Sequence, residues 1–211
     1  MPDKKQENTS YDVKRTTLDD AARALLLGKP VVFPTDTVYG IGIAVTTAED
    51  CSQLSEIKQR PGRKPIAWLV GGIEDIDLYG ADVPEWAYEL ARAYWPGALT
   101  LVVRASNSVP SGFQSEDGTI GLRMPASDIA LALIAACGCP LATTSANVSG
   151  NAAPAAFDEL EDAILSSVDV IVKGAVHSSG VASTVVDCTG RTPRVLRQGS
   201  VQIEEASNRF A

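Results

Sequence analysis

The sequence predicts a single α/β domain: a mixed, twisted β-sheet with flanking helices. Three observations carry this. Short runs rich in β-branched residues, such as Val31–Phe33, Leu99–Val103 and Thr184–Asp187, alternate with segments of helical period. No internal repeat, low-complexity tract or linker divides the chain. With 211 residues, 45% of them hydrophobic and 21% charged, the chain can bury roughly 70% of its unfolded surface without a disulfide or metal staple.

The elements follow in order. Residues 1–10 are polar and charged, and 1–12 read as a disordered tail ahead of a domain over 13–205. Thr17 to Asp20 resembles a capping box with Asp in place of Glu; it opens a helix with an apolar stripe through Leu18, Ala21, Ala22, Leu25 and Leu26, ended by Gly28. Val31–Phe33 is a buried strand that Pro34 stops, and Thr35 to Gly42 reads as a polar, glycine-flanked loop. Thr47 and Asp50 repeat the capping pattern ahead of a helix reaching Lys58. Ile66–Val70 is a strand, Pro84–Ala93 a helix, Trp95-Pro96-Gly97 a turn, and Leu99–Val103 a strand. Ser106–Gly118 reads as a loop, and Thr119–Met124 as a strand that delivers Arg123. Ser127 caps a helix to about Cys137, and Leu141–Thr144 is a short strand. Pro154 starts a helix through Leu160 and Ile164, and Val168–Lys173, Thr184–Asp187 and Arg194–Arg197 are the last strands.

Composition excludes several classes. A net charge of −8 argues against a surface that is basic overall. Cys51, Cys137, Cys139 and Cys188 form no C-x-x-C pair, and His177 is the sole histidine, so no structural zinc set is present and the thiols read as buried and reduced. The N-terminus lacks the apolar stretch of a signal peptide, and no run of 18 apolar residues spans a membrane. The expectation is a cytoplasmic protein.

The chemistry concentrates where strands end. Lys58, Arg60, Arg63 and Lys64 crowd a loop stiffened by Pro61, Gly62 and Pro65, which suits polyphosphate. There is no Walker sequence, and Gly40-Ile41-Gly42 has Val45 where a dinucleotide fingerprint needs its third glycine, so side chains must hold any phosphate. Arg123 late in a strand is either paired with a carboxylate, Asp128 being the one just downstream, or waiting for an anionic ligand. In the first role its removal costs stability; in the second it costs only function. Ser145 to Gly150 is a loop of small hydrogen-bonding residues. Cations and hydroxyls without a nucleophile–base pair suit phosphoryl or nucleotidyl transfer, in which the protein positions groups and stabilises developing charge.

Pro34-Thr35-Asp36-Thr37-Val38-Tyr39-Gly40-Ile41-Gly42 resembles the signature of the YrdC-like family, the threonylcarbamoyl-AMP synthases. Lys58-Gln59-Arg60-Pro61, Trp95-Pro96-Gly97, Leu99-Thr100-Leu101-Val102, Arg123-Met124-Pro125, Ser145 to Gly150, Ser183 to Asp187 and Leu196-Arg197-Gln198-Gly199 match the same family in the same order. The resemblance implies a YrdC-like fold and a nucleotidyltransferase making L-threonylcarbamoyl-AMP and pyrophosphate from L-threonine, bicarbonate and ATP with Mg2+. The product feeds the tRNA-modification machinery downstream. Carried over by motif, Thr37, Arg123, Thr143 and Ser183 would hold L-threonine. Arg60, Lys64, Thr119, Ser145, Asn147 and Arg197 would hold ATP, with Lys58 and Arg60 at the chemistry and no metal held by the protein itself. Two positions depart from the pattern: Leu69 stands where relatives often carry His, and Ala153 where they often carry Ser near ATP. The chain resembles the short form, without an extra C-terminal domain. Two alternatives remain beside this: a related carbamoyl-adenylate enzyme with another acceptor, and a non-catalytic module binding double-stranded RNA, against which the negative net charge weighs.

Overall fold

The computed structural model describes residues 17–59, 66–174 and 179–203. Its helices are α1 (Leu18–Leu26), α2 (Ser52–Ile57), α3 (Asp75–Tyr79), α4 (Glu85–Tyr94), α5 (Asp128–Cys137) and α6 (Asp162–Leu165). Its strands are β1 (Val31–Pro34), β2 (Tyr39–Ala44), β3 (Ala67–Leu69), β4 (Gly80–Ala81), β5 (Leu99–Ala105), β6 (Thr119–Arg123), β7 (Leu141–Ser145), β8 (Val170–Ile171), β9 (Thr184–Asp187) and β10 (Arg194–Arg197). They form one sheet in the order β10-β9-β5-β6-β3-β7-β2-β1-β8, with β4 on the far end of β5. The pairs β1/β8, β3/β6 and β5/β9 are parallel and the others antiparallel, so the sheet is mixed as expected.

Side-chain alternation along each strand separates the two faces. Val32, Ile41, Ile43, Trp68, Leu101 and Leu122 join Leu54 of α2 and Trp86 and Leu90 of α4 in one core. Val31, Phe33, Leu69 and Leu141 point the other way and meet Leu25 of α1 and Ala130 and Leu133 of α5. On this second face α1 packs over β8, β1 and β2, and α5 over β1; the cleft described below is lined mainly from β3, β5, β6, β7 and β9.

Local signals explain the well-placed elements. Thr17 and Asp20 form the capping box that starts α1, with Asp20 N–H to Thr17 Oγ1 at 3.1 Å and Thr17 N–H to Asp20 Oδ2 at 3.2 Å. Gly28 follows at φ 75°, a left-handed turn that glycine adopts freely. Ser127 caps α5 through Ala130 N–H, and Gly138 ends it at φ 64°.

Four expectations are corrected. Tyr39 to Gly42 is not a loop: it is the start of β2, with only Thr35 to Val38 left as the turn. The glycines are there for close packing, since a Cβ on Gly40 would meet Thr143 Cγ2 at 2.9 Å and one on Gly42 would meet Thr143 Oγ1 at 2.8 Å. Cys51, not Thr47, precedes α2; the Thr47 hydroxyl instead donates to the Leu25 and Ala44 carbonyls. No continuous helix follows Pro154. A single 3₁₀ turn at Phe157–Glu159 and the one-turn α6 take its place. The Pro154 carbonyl accepts from Tyr39 N–H and is thereby withdrawn from a helical partner, while the Glu159 and Glu161 carboxylates accept from the Ala155 and Val148 N–H groups. The strand expected over 168–173 pairs only at Val170 and Ile171. The short α3 and β4 had no sequence reading. No helix among the described residues is long and apolar enough to cross a membrane.

Candidate active site

Strand alternation builds the cleft directly. On β6, Ile120 and Leu122 enter the core while Thr119, Gly121 and Arg123 face outward; on β5, Leu101 and Val103 go in while Thr100 and Val102 face outward. Thr143 and Ser145 of β7, Ser183 and Val185 at β9, Arg197 of β10 and the Thr35–Val38 turn complete a cleft of about 480 Å³. That is within the range of small-molecule sites.

Arg123 lies at its centre. Its Nη2 donates to Asp36 Oδ1 at 2.6 Å, its Nη1 to Thr37 Oγ1 at 3.0 Å and its Nε to Gly97 O at 3.0 Å. The Arg123 and Asp36 side chains are only 8% and 13% exposed, so the ion pair is buried on the arginine side and largely covered on the aspartate side. A guanidinium carries five N–H groups, and these three bonds leave one on each terminal nitrogen. Burial draws the Arg123 guanidinium below its ordinary pKa, Asp36 opposes that, and Arg197 adds to the lowering. Arg197, at the rim, is itself lowered by desolvation. It grips Ser183 through the carbonyl (3.1 Å from Nε, 2.9 Å from Nη2) and the hydroxyl (3.2 Å from Nη2). Arg123 is balanced by Asp36, whereas Arg197 meets only a carbonyl and a hydroxyl among the described residues, so the cleft keeps a net positive charge that favours an anion.

The hydroxyls are ordered in pairs: Thr35 with Thr37 at 3.0 Å, Thr100 with Ser183 at 2.9 Å, and Ser115 with Thr119 at 2.7 Å. The Thr143 hydroxyl donates to Leu141 O at 3.0 Å, which leaves its lone pairs for a ligand.

Of the residues singled out from sequence, Thr37, Thr119, Arg123, Thr143, Ser145, Ser183 and Arg197 all line this one cleft. Lys58 and Asn147 sit behind it. Lys58 is 4% exposed; its ammonium donates to the Ser145 and Asn147 carbonyls and to Asn147 Oδ1. The Asn147 amide also takes a bond from Ser145 Oγ and donates to Val148 O and Asn151 O. Both side chains are committed to shaping the loop that presents Ser145. Arg60, Lys64 and His177 lie outside the described residues. Leu69 and Ala153, the two departures, both face the cleft, Leu69 in register with Arg123 on the neighbouring strand.

Sequence reasoning missed Asp36 beside the cleft and Thr100, Ser115 and Asp117 in its lining. Asp36 lies between Thr35 and Thr37, but its partner Arg123 is 87 positions away, whereas Asp128 is the acid near Arg123 in sequence. Among the described residues, no three His, Cys, Asp or Glu side chains gather in a way that could hold a metal ion.

Residues 23–199 match the Sua5_yciO_yrdC family model, whose description reads "Telomere recombination". The chain is 36% identical over 185 residues to the threonylcarbamoyl-AMP synthase of Pyrococcus abyssi, covering 88% of this chain and 54% of that one. The structure of Pyrococcus abyssi Sua5 complexed with L-threonine superposes with a TM-score of 0.81 at 36% identity, over 86% of this chain and 54% of that one. Escherichia coli YciO superposes at 0.79 with 26% identity over 92% of both chains. The chain thus spans about half the length of the Pyrococcus relative and nearly all of the Escherichia one.

Proposed function

The chain belongs to the Sua5, YciO and YrdC family, and from that premise we propose that it makes L-threonylcarbamoyl-AMP and pyrophosphate from L-threonine, bicarbonate and ATP. The observation that carries the reading is Arg123, fixed by three acceptors with two N–H groups left over, among hydroxyls in a cleft of small-molecule size. Such a group clamps an α-carboxylate in two-pronged fashion. Thr143 and Ser183 are within the same cleft to meet the acceptor's hydroxyl and amine.

The chemistry follows from what each group does. The acceptor's amine must be uncharged to add bicarbonate carbon, losing water and giving a carbamate. A carbamate oxygen then attacks the α-phosphorus of ATP, and the bond to the β-phosphate oxygen breaks to release pyrophosphate. Arg197 and Ser145 line the cleft; in this reading they hold ATP together with Arg60, Lys64 and Thr119. Mg2+ fits as part of the nucleotide: no carboxylate cage gathers among the described residues, and this ion is commonly held by substrate phosphates and water. Bound to the phosphates, it would neutralise charge on the leaving pyrophosphate. Lys58, with its ammonium on backbone carbonyls, acts in this reading by holding the Ser145 loop. The product would supply the modification of tRNA in the cytoplasm. A groove of this size suits an amino acid and a nucleotide better than an RNA duplex.

The test is pyrophosphate release with ATP and bicarbonate, with L-threonine, with L-valine and with neither. Release should depend on the amino acid and favour threonine on the order of 10²-fold, because hydroxyl partners left unpaired reject the isostere. Equal release with valine, or release independent of any amino acid, overturns the reading.

A further inference from the structure

Among the ion pairs of the described residues, Arg123–Asp36 alone has both side chains less than 15% exposed, at 8% and 13%. It is also the one that borders the cleft. The turn that carries Asp36 is itself pinned: Ser179 N–H donates to Asp36 O at 3.3 Å, Gly180 N–H to Thr37 O at 3.1 Å, and the Thr35 hydroxyl to Val38 O at 2.7 Å. The carboxylate therefore stands on a rigid support, and of the three acceptors on Arg123 it is the only charged one. Arg197, by contrast, makes no ion pair among the described residues and binds only a carbonyl and a hydroxyl.

We propose that Asp36 is a positioning residue for the acceptor amino acid, an inference that rests on the function proposed above. By taking one N–H of Nη2 it fixes the plane of the guanidinium, so that the remaining N–H of each terminal nitrogen is presented to the cleft. By cancelling the charge of Arg123 it also sorts the anions. The compensated guanidinium recognises a monoanionic carboxylate by two-pronged geometry, while the uncompensated Arg197 attracts the more highly charged phosphates.

Two variants test this, with L-threonine binding measured by titration calorimetry beside steady-state kinetics. Asp36→Ala removes the acceptor and lets the guanidinium swing; KM for L-threonine should rise on the order of 10²-fold, as for a clamp displaced by about an ångström, while KM for ATP stays within about twofold. Asp36→Asn keeps one oxygen for Nη2 but removes the charge. Its KM for threonine should rise less, and inorganic phosphate should become a competitive inhibitor against threonine, as it is not for the wild type. A merely structural role moves neither the split between the two KM values nor the phosphate competition. If Asp36→Asn, folded, binds threonine with wild-type affinity and phosphate does not compete, the proposal is overturned while the functional reading stands. A wild type that binds no L-threonine, with or without ATP, overturns both.

Discussion

Truncating Arg123 should damage the fold and the acceptor site together. Read from sequence, the residue had two exclusive roles, and its loss would harm either stability or function. The structure gives it a carboxylate partner and a place in the cleft at once. Arg123→Ala removes three hydrogen bonds and leaves Asp36 unpaired at 13% exposure. Breaking a fully buried pair costs about 3–5 kcal/mol. Here the space left by the guanidinium opens to a cleft, so water can reach Asp36 and the Thr37 hydroxyl, and we expect about 2–3 kcal/mol. For a domain of this size that is a fall in Tm of roughly 4–12 °C. Arg123→Lys restores a charge to Asp36 but not the two-pronged geometry, so it should recover most of the stability and little of the function. The assay is a melting curve with and without L-threonine and ATP. Wild type should gain about 2.7 kcal/mol at a hundredfold excess over Kd, and Arg123→Ala should gain almost none from threonine. A variant that melts with wild type refutes the ion-pair argument. One that melts early yet responds fully to threonine refutes the assignment of Arg123 to the site.

Two further expectations follow from one buried and one half-buried group; of the four thiols expected to be buried, only Cys139 and Cys188 are, while Cys51 and Cys137 are partly exposed. Lys58→Met strips the shared cation from two carbonyls and the Asn147 amide oxygen; it should cost about 3 kcal/mol, read by urea denaturation, and a midpoint equal to wild type would return Lys58 to a role in the chemistry alone. Burial pushes the Cys137 thiol up to about 11, and that of Cys188 higher still. At pH 8 the Cys137 thiolate fraction is then on the order of 10²-fold below that of a free cysteine, so iodoacetamide should modify native Cys137 that much more slowly than the urea-unfolded chain, and equal rates would contradict the burial.

Much of the fold was legible because local signals agree with the tertiary structure. The capping box at Thr17, the cap at Ser127 and the β-branched runs at Leu99 and Thr184 each place an element within a residue or two. The failures have a common cause. Gly40 and Gly42 have a turn's composition, yet Tyr39, Ile41 and Ile43 alternate into the core, and that period-two signal was the stronger one. The glycines answer to Thr143, about a hundred residues downstream, and a steric demand made by a distant strand leaves no local trace. In the same way the helix expected after Pro154 meets a distant demand, since Tyr39 N–H, more than a hundred residues upstream, claims the Pro154 carbonyl.

The site divides along the same line. Residue types at strand ends told which side chains reach the cleft, because strand period alone decides whether Thr119, Arg123 or Thr143 faces the core or the ligand. What each one is bonded to could not be read that way. Lys58, conspicuous in sequence as the first of four cations, spends its ammonium on carbonyls of a loop some ninety residues on. Asp36, inconspicuous between two threonines, holds the guanidinium on which acceptor binding depends in the reading above. A buried charge is set by its partner, and the partner is a property of the sheet order β6-β3-β7-β2, which brings Arg123 and the β1–β2 turn together across two intervening strands. A substitution at Lys58 should therefore be read first as a change in the shape of the Ser145 loop, and one at Asp36 first as a change in the charge and aim of Arg123.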